Sequence, residues 1–517
     1  MLLACASIDT RTARSQPAAG SGSAETPATA DEDEASQGGS GAPLVAPAEP
    51  RARLAWLQGK LSQAIAAHPQ LGKAKVAAYV YDLAAGAELF AHDADAGMSL
   101  ASTTKLLTTI AALGTLGGGF RWRTAVYVDD VDDATGTVKG NLYLRGRGDP
   151  TLAVADLRQL AADVAARGIR TIDGQLIVDA TYFDGDVEPP HFADQPKERA
   201  AFRAPVASLG VGKSAITVTV LPEPGGAGTV ELEPDVPDYV RVGKADVKTV
   251  TDKRTRLKID VQSKGGRLEV DVTGQIKVAS GSFDVRKRVD DPPRLASEVF
   301  RAALAEHGVK LARRGFAYAA VPPAAKLVAV HDSAPLALVI RDMNKQSDNY
   351  IAESVLKTLG AETRTTPGPA TWTDGTAAVA AALARLGMPP GSYRADNGSG
   401  LYAASAVSAR QLVTILRAAQ RDFRIGPDLV ASLPVGGIDG TLARRWSKSA
   451  ARGRVRAKTG TLDKVTSLAG LVGLDGAHLL AFAIIANDLP PGQRAASRAM
   501  ADDMVEAMLA YLDAASR

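Results

Sequence analysis

Three short clusters of this chain carry side chains suited to acyl transfer, and they follow one another in order. The first is Ser102-Thr103-Thr104-Lys105. The second, Ser347-Asp348-Asn349, begins 245 positions further on (347 − 102), and the third, Lys458-Thr459-Gly460, 111 after that. Residues three apart on a helix lie about 5–6 Å apart at Cβ, so Lys105 can reach the Ser102 hydroxyl. A serine hydroxyl is a weak nucleophile until a base takes its proton. A lysine serves as that base only when burial or a second cation favours its neutral form, and Lys458 is a candidate second cation. Ser102 also opens a helix, where backbone N–H groups favour developing negative charge. The alternative is an exposed capping serine followed by a solvated lysine. In the second cluster Ser347 can relay a proton to a leaving amine, and the Asn349 amide can hold a backbone carbonyl. Such residues also simply cap helices. In the third, Lys458 to Leu462 reads as an edge strand against which an extended peptide can pair. Lys458 then offers charge to a carboxylate and Thr459 a hydroxyl, while Gly460 allows close approach to the backbone. The Thr461 N–H, with that of Ser102, would form an oxyanion hole. An exposed turn is the alternative there.

Each cluster needs an element to hold it. Serine before the apolar run Leu106 to Leu116, with Gly117-Gly118-Gly119 beyond, marks both ends of a helix. Helical periodicity also covers Leu54 to Ala67, Asp156 to Arg167, Leu295 to His307, Leu336 to Asn344, Tyr350 to Leu359 and Gln493 to Ala514. Val76 to Asp82 and Glu88 to Ala91 read as a strand and its return. Ser467 to Leu474 and Leu479 to Ile485 read as a hairpin closed at Asp475-Gly476, the strongest short turn signal. Between residues 124 and 290 short alternating segments dominate: Arg123 to Val128, Gly140 to Leu144, Ala215 to Val220 and Arg267 to Val272. The order is therefore mixed α and β, then a β-rich block, then mixed α and β again. One domain formed by residues 51–123 and 291–517, interrupted by an inserted β-rich region of two subdomains at 124–290, accounts for it.

Several chemistries are excluded. One cysteine, Cys5, cannot build a disulfide framework or a thiolate metal cluster. The six histidines are scattered without metal-ligand spacing, so no metal and no organic cofactor is expected. A net charge of +3, evenly spread, gives no nucleic-acid footprint. No run of 18 apolar residues is present to span a membrane. Gly210-Val211-Gly212-Lys213-Ser214 imitates a phosphate-binding loop, but Ala207 stands where the first glycine is required and the alternating run after it is a strand. It reads as a turn. Residues 8 to about 50 are rich in Ala, Ser, Gly and Pro and read as a tether. Before them, Leu2-Leu3-Ala4-Cys5 resembles a bacterial lipobox, which would lipidate Cys5 and anchor the chain to a membrane. A free thiol near the chain end is the alternative.

Together the three clusters match a known trio, and the chain resembles the serine-type D-Ala-D-Ala carboxypeptidase/endopeptidase family, the class C low-molecular-mass penicillin-binding proteins (peptidase family S13). The resemblance runs from about residue 70 to the C-terminus. It extends to Gly148-Asp149-Pro150-Thr151-Leu152 and to Asp396-Asn397-Gly398-Ser399-Gly400-Leu401, a D-x-S-G-L segment with one extra residue. It also takes in Leu433-Pro434-Val435-Gly436-Gly437 and Asp439-Gly440-Thr441-Leu442. It implies an α+β fold with a transpeptidase/β-lactamase-like core, an antiparallel sheet flanked by helices, carrying inserted β-rich domains. It further implies Ser102, Lys105, Ser347, Asn349, Lys458 and Thr461 as catalytic residues, with Thr459 and Gly460 in substrate binding. Peptidoglycan stem peptides are the implied substrate, penicillin and other β-lactams the covalent inhibitors, and the bacterial envelope or periplasm the location. By position Asp179 matches the family aspartate that contacts a diaminopimelate side chain; a buried or turn aspartate is the other reading. Two rivals use the same motifs: a β-lactamase-like hydrolase and a non-catalytic envelope scaffold.

Overall fold

The strand Leu479–Asn487 shows why the middle of this protein is a sheet covered on both faces. Successive side chains of a strand point to opposite sides. Ala481, Ala483 and Ile485 enter one apolar core and Leu480, Phe482 and Ile484 another, all buried. With both faces covered, the sequence reads as a continuous apolar run rather than an alternating one. The structure, a computed structural model, describes residues 44–196, 198–473 and 478–516. Its central sheet has five antiparallel strands in the order Val455–Leu462, Val465–Gly473, Leu479–Asn487, Lys75–Asp82, Ala87–His92. Val455–Leu462 is an edge strand, as expected. The strands on either side of Asp475-Gly476 pair in register, Gly473 with Leu479, while that turn lies outside the described residues. Cys5 and the tether up to residue 43 also lie outside them.

One face of the sheet is covered by the helices Pro50–Ala66 and Arg494–Ala515, through Leu57, Leu61, Met504, Met508 and Leu512. The other carries small residues, Ala77, Ala469, Ala481 and Ala483, which let helices approach closely. There the helix Lys105–Leu116 is buried all round, by Leu106, Leu107, Ile110, Ala111 and Leu113 among others. A helix apolar on every side belongs in the middle of a core. It is surrounded by Leu336–Gln346, Asn349–Thr363, Trp372–Ala384 and Ala409–Arg421.

The inserted region begins at the strand Arg123–Asp132 but does not end at residue 290. The helix Pro292–Glu306 packs against Val154–Ala166 in the core of the insertion, and Lys326–Asp332 pairs antiparallel with Arg123–Asp132. The boundary therefore falls near Asp332. Helical periodicity at 295–307 located the helix correctly but could not say which core its apolar stripe enters. The insertion contains one seven-stranded mixed sheet and two three-stranded sheets, the latter built from 215–221, 229–233 and 283–288 and from 240–250, 256–264 and 267–277. The phosphate-loop imitation is a turn. Lys213 adopts a left-handed φ of 58° and the strand Ala215–Leu221 follows. Lys213 Nζ donates to Asp348 at 2.6 Å, and the Ser214 hydroxyl meets that of Tyr350 at 3.1 Å. The insertion thus grips the start of the helix Asn349–Thr363.

Ile110 has no exposed surface and lies in the largest core. Ile110→Ala should lower stability by about 2–5 kcal/mol, with the cavity cost adding to the lost transfer energy. The midpoint of urea unfolding will measure it.

Candidate active site

Ser102 sits in a short 3₁₀ turn, Ala101–Thr104, and Lys105 is the first residue of the α-helix after it. The expectation that Ser102 opens the α-helix itself is therefore displaced by one turn. The backbone entering the turn is strained, since Ala101 has φ of 47°, and such a conformation costs on the order of 1–3 kcal/mol. Its surroundings hold it. The Leu100 N–H donates to Ser405 Oγ at 3.0 Å, and the Leu100 carbonyl accepts from Thr103 Oγ1 at 2.7 Å and Ser467 Oγ at 2.6 Å. Ser99 and Asn487 exchange two hydrogen bonds across the sheet, at 2.8 and 3.0 Å. Gly400 closes the far side. Its φ is 79°, and a Cβ there would strike the Ala101 carbonyl oxygen and lie 2.5 Å from Thr104 Oγ1.

Lys105 is fully buried. Its Nζ lies 3.0 Å from Ser102 Oγ, 2.7 Å from Asn349 Oδ1 and 3.1 Å from the Ser399 carbonyl. A neutral amine has two N–H donors and one lone pair. It can keep Asn349 and Ser399 on the donors and turn the lone pair to Ser102. Behind this cluster stands Glu353, one helical turn beyond Asn349 and 1% exposed. Its carboxylate accepts the N–H groups of Gly398 at 2.9 Å and Ser399 at 2.8 Å. Burial pushes the Glu353 carboxyl above its ordinary range, against the pull of Ser399, those amides and the Lys105 charge. Glu353 thereby fixes the loop whose carbonyl Lys105 touches.

On the opposite side Lys458, also fully buried, donates to Ser347 Oγ at 2.9 Å and to the Thr459 carbonyl at 2.8 Å. Ser347 is the left-handed cap of Leu336–Gln346, with φ of 56°, and Asp348 caps the next helix through the Ile351 N–H. The capping alternative and the functional one coexist: the caps aim Ser347 and Asn349. Lys345, two residues before Ser347, ties Asp439 and the Leu433 carbonyl to this corner. Burial pushes its amine down against the opposing pull of Asp439. The Thr459 and Thr441 hydroxyls meet at 2.8 Å. Thr461 Oγ1 accepts from Arg498 Nη2 at 3.3 Å.

The structure thus brings Ser102, Lys105, Ser347, Asn349, Lys458, Thr459, Gly460 and Thr461 together through two hydrogen-bonded groups that meet where Gly460 packs on the Ser102 nitrogen. Two expectations change. A Cβ on Gly460 would lie 2.5 Å from the Leu100 carbonyl and 3.0 Å from the Ser102 nitrogen, so its missing side chain makes room for the nucleophile turn itself. Asp179 is not a ligand-facing residue. It is 2% exposed and accepts from Thr181 N and Oγ1 at 3.0 and 2.7 Å and from Val321 N at 3.0 Å, with Arg145 beside it at 3.5 Å. Its carboxylate holds together the end of a strand of the insertion. Glu353, Ser399, Ser405, Ser467 and Arg498 were not foreseen. Ser399 lay inside the D-x-S-G-L-like segment, and Glu353 four residues after Asn349 on a helix already expected, but nothing local marked Arg498.

The sequence profile of the D-Ala-D-Ala carboxypeptidase 3 (S13) family matches residues 57–510. A D-alanyl-D-alanine carboxypeptidase of Actinomadura sp. (strain R39) is 34% identical over 441 residues, covering 82% of this chain and 80% of its own. The D-alanyl-D-alanine carboxypeptidase DacB of Haemophilus influenzae is 26% identical over 402 residues, 76% of this chain and 81% of its own. The crystal structure of penicillin binding protein 4 (dacB) from Haemophilus influenzae covers 87% of this chain and 98% of its own, with a TM-score of 0.72 at 22% identity. A second structure of it, complexed with a β-lactam, superposes with a TM-score of 0.68.

Gly400→Ala should destabilise by about 2–4 kcal/mol, because the left-handed backbone and the packing against Ala101 both disfavour a side chain. Chemical denaturation monitored by tryptophan fluorescence will register the loss.

Proposed function

The chain belongs to the D-Ala-D-Ala carboxypeptidase 3 (S13) family, and on that premise we propose how its residues divide the work of a serine peptidase. It is a serine-type D-Ala-D-Ala carboxypeptidase. Its substrate in this reading is a peptidoglycan stem peptide ending in D-Ala-D-Ala, lying extended beside the strand Val455–Leu462. Ser102 gives its proton to neutral Lys105 and attacks the carbonyl of the penultimate D-Ala. The N–H groups of Ser102 and Thr461 receive the oxyanion. Asn349 keeps Oδ1 on Lys105 and exchanges the Phe202 carbonyl, on Nδ2 at 3.3 Å, for a substrate carbonyl. The C–N bond breaks, the Ser102 ester forms, and the departing amine takes a proton through Ser347 from Lys458. The proton that Lys105 took from Ser102 restores Lys458, so that Lys105 is again neutral. It then takes a proton from water, whose hydroxide attacks the ester, and passes that proton to the departing Ser102 oxygen. The same acyl-enzyme route accepts a crosslink amine as leaving group, which is endopeptidase cleavage.

One observation carries this reading: a fully buried lysine amine within hydrogen-bond reach of both a serine hydroxyl and the Asn349 amide. A β-lactam offers the same carbonyl without a departing fragment, so it should leave a long-lived ester on Ser102. The location that fits is the bacterial envelope, with Cys5 as a lipid attachment point. No helix among the described residues is long and apolar enough to cross a membrane.

Labelled penicillin should mark the protein stably, with the label on the peptide containing Ser102. Rapid loss of the label would favour a β-lactamase-like hydrolase. No label, together with no D-alanine release from diacetyl-Lys-D-Ala-D-Ala, would favour a non-catalytic scaffold. Lys105→Ala should lower the acylation rate by about 10³-fold or more with an unchanged circular dichroism spectrum. Glu353→Gln keeps the shape but offers one N–H where an acceptor is needed. Its kcat should fall about 10–100-fold, most of it in acylation, as single-turnover kinetics will resolve.

A further inference from the structure

A cavity of about 760 Å³ lies apart from the groups that do the chemistry. A water molecule takes up roughly 30 Å³, so one bound ion would not fill it; the volume is that of a small-molecule or peptide site. Its walls come from the helices Leu336–Gln346, Ala409–Arg421 and Gly426–Ser432, from the segment 435–439 and from the start of the edge strand. The lining carries four cations, Arg341, Lys345, Arg421 and Arg456, against one carboxylate, Asp439. Lys345 takes both oxygens of Asp439, each at 2.7 Å, and the two charges cancel. No carboxylate among the described residues pairs with the three arginines. Arg421 Nη2 donates to the Leu83 carbonyl at 3.1 Å and Arg456 Nη1 to the Val430 carbonyl at 3.5 Å. A peptide carbonyl carries no net charge, so three guanidinium charges remain around one space. Phe423 and Ile438 line the same cavity and are 90% and 54% exposed. Apolar side chains gathered at a charged rim mark an interaction site. The occupant that fits is multiply anionic and partly apolar.

This cavity is joined to the catalytic groups. Lys345 stands two residues before Ser347. The segment that carries Ile438 and Asp439 runs on to Thr441, whose hydroxyl meets that of Thr459 at 2.8 Å. A molecule held in the cavity is thus a neighbour of the one held at Ser102. We propose that it is a second, non-cleaving subsite for peptidoglycan, which takes a neighbouring stem peptide of the same polymer. The carboxylates of that peptide lie on Arg341, Arg421 and Arg456, and its alanine methyls lie against Phe423 and Ile438. Arginine suits the role because its fork matches two carboxylate oxygens. The proposal rests on the peptidase reading above and adds a binding site to it. A second contact on one polymer raises the local concentration of the next stem peptide at Ser102 without touching the reacting atoms. It also draws an acidic polymer from solution, an attraction that salt screens.

The test compares diacetyl-Lys-D-Ala-D-Ala with glycan strands that carry many uncrosslinked stem peptides. Arg341 and Arg421 are both exposed, so replacing them should leave the fold intact. The double variant Arg341→Gln, Arg421→Gln should lower kcat/KM for D-alanine release from the strands by about 10-fold, and for the small peptide by less than about 2-fold. Arg341→Lys with Arg421→Lys should recover part of the loss. An unchanged strand-to-peptide ratio in the glutamine variant overturns the proposal, and so does an equal loss on both substrates, which is what merely structural arginines would give. Binding is read separately. Protein already acylated by penicillin at Ser102 should still sediment with insoluble peptidoglycan, and the acylated glutamine variant should do so far less. If the variant sediments as well as the wild type but no longer binds tripolyphosphate or phosphatidylglycerol vesicles, the occupant is another anion and the proposal falls. If the wild-type protein neither takes the penicillin label nor releases D-alanine from either substrate, the peptidase reading itself fails. Sedimentation of the unlabelled protein and its glutamine variant then still decides whether the two arginines hold the polymer.

Discussion

A primary amine with no contact to water is the constraint around which this molecule is arranged. Removing a charged ammonium from solvent costs several kcal/mol unless the interior supplies partners, and desolvation favours the neutral form. Lys105 is given partners from three distant parts of the chain: Ser102 beside it, Asn349 on another helix, and the Ser399 carbonyl on a loop. Each of these is in turn fixed by something else. Glu353 grips the loop through two amides. Ser405 and Ser467 grip the residue before the strained Ala101. Left-handed backbone stands at Ala101, the residue before Ser102, and at Ser347 itself, which is where stored backbone strain is found when neighbouring structure over-determines a geometry.

The insertion is part of that support. Its turn at Lys213 holds Asp348, its loop brings the Phe202 carbonyl to Asn349, and the Asp186 carbonyl accepts from the buried Lys357 at 2.6 Å. Arg203, without exposed surface, packs against the rings of Phe192 and Tyr402, which meet each other edge to face, and locks that loop to the segment after Gly400. The helix carrying Asn349 and Glu353 is thus gripped along its length by the module inserted between the first two catalytic clusters.

Much of this was legible beforehand, for identifiable reasons. The spacing of Ser102 and Lys105, the alternation of Ala215 to Val220 and the glycines after Leu116 are local signals, and the structure agrees with each. What was missed is relational. The stripe on the helix Pro292–Glu306 announces a buried face but not that it belongs with the insertion. The motif glycine at 460 announces a close approach, but not that the nucleophile's own turn is one of the neighbours it admits. Asp179 sits in a family-like string, yet its role is decided by Thr181 and Val321, the second of which lies 142 positions away. Arg498 stands on a helix whose pattern concerns only the core behind it.

The central sheet joins the two ends of the chain: strands from residues 75–92 lie beside strands from 455–487, and Ser99 bonds to Asn487 across 388 positions. Contacts so far apart in sequence close late, because the loop entropy is lost before they form. The nucleophile turn leaves the ribosome long before the strand that completes it. Until then Ser102 lacks the edge strand whose Gly460 packs against its backbone nitrogen. Topology alone therefore delays reactivity until most of the chain has been made.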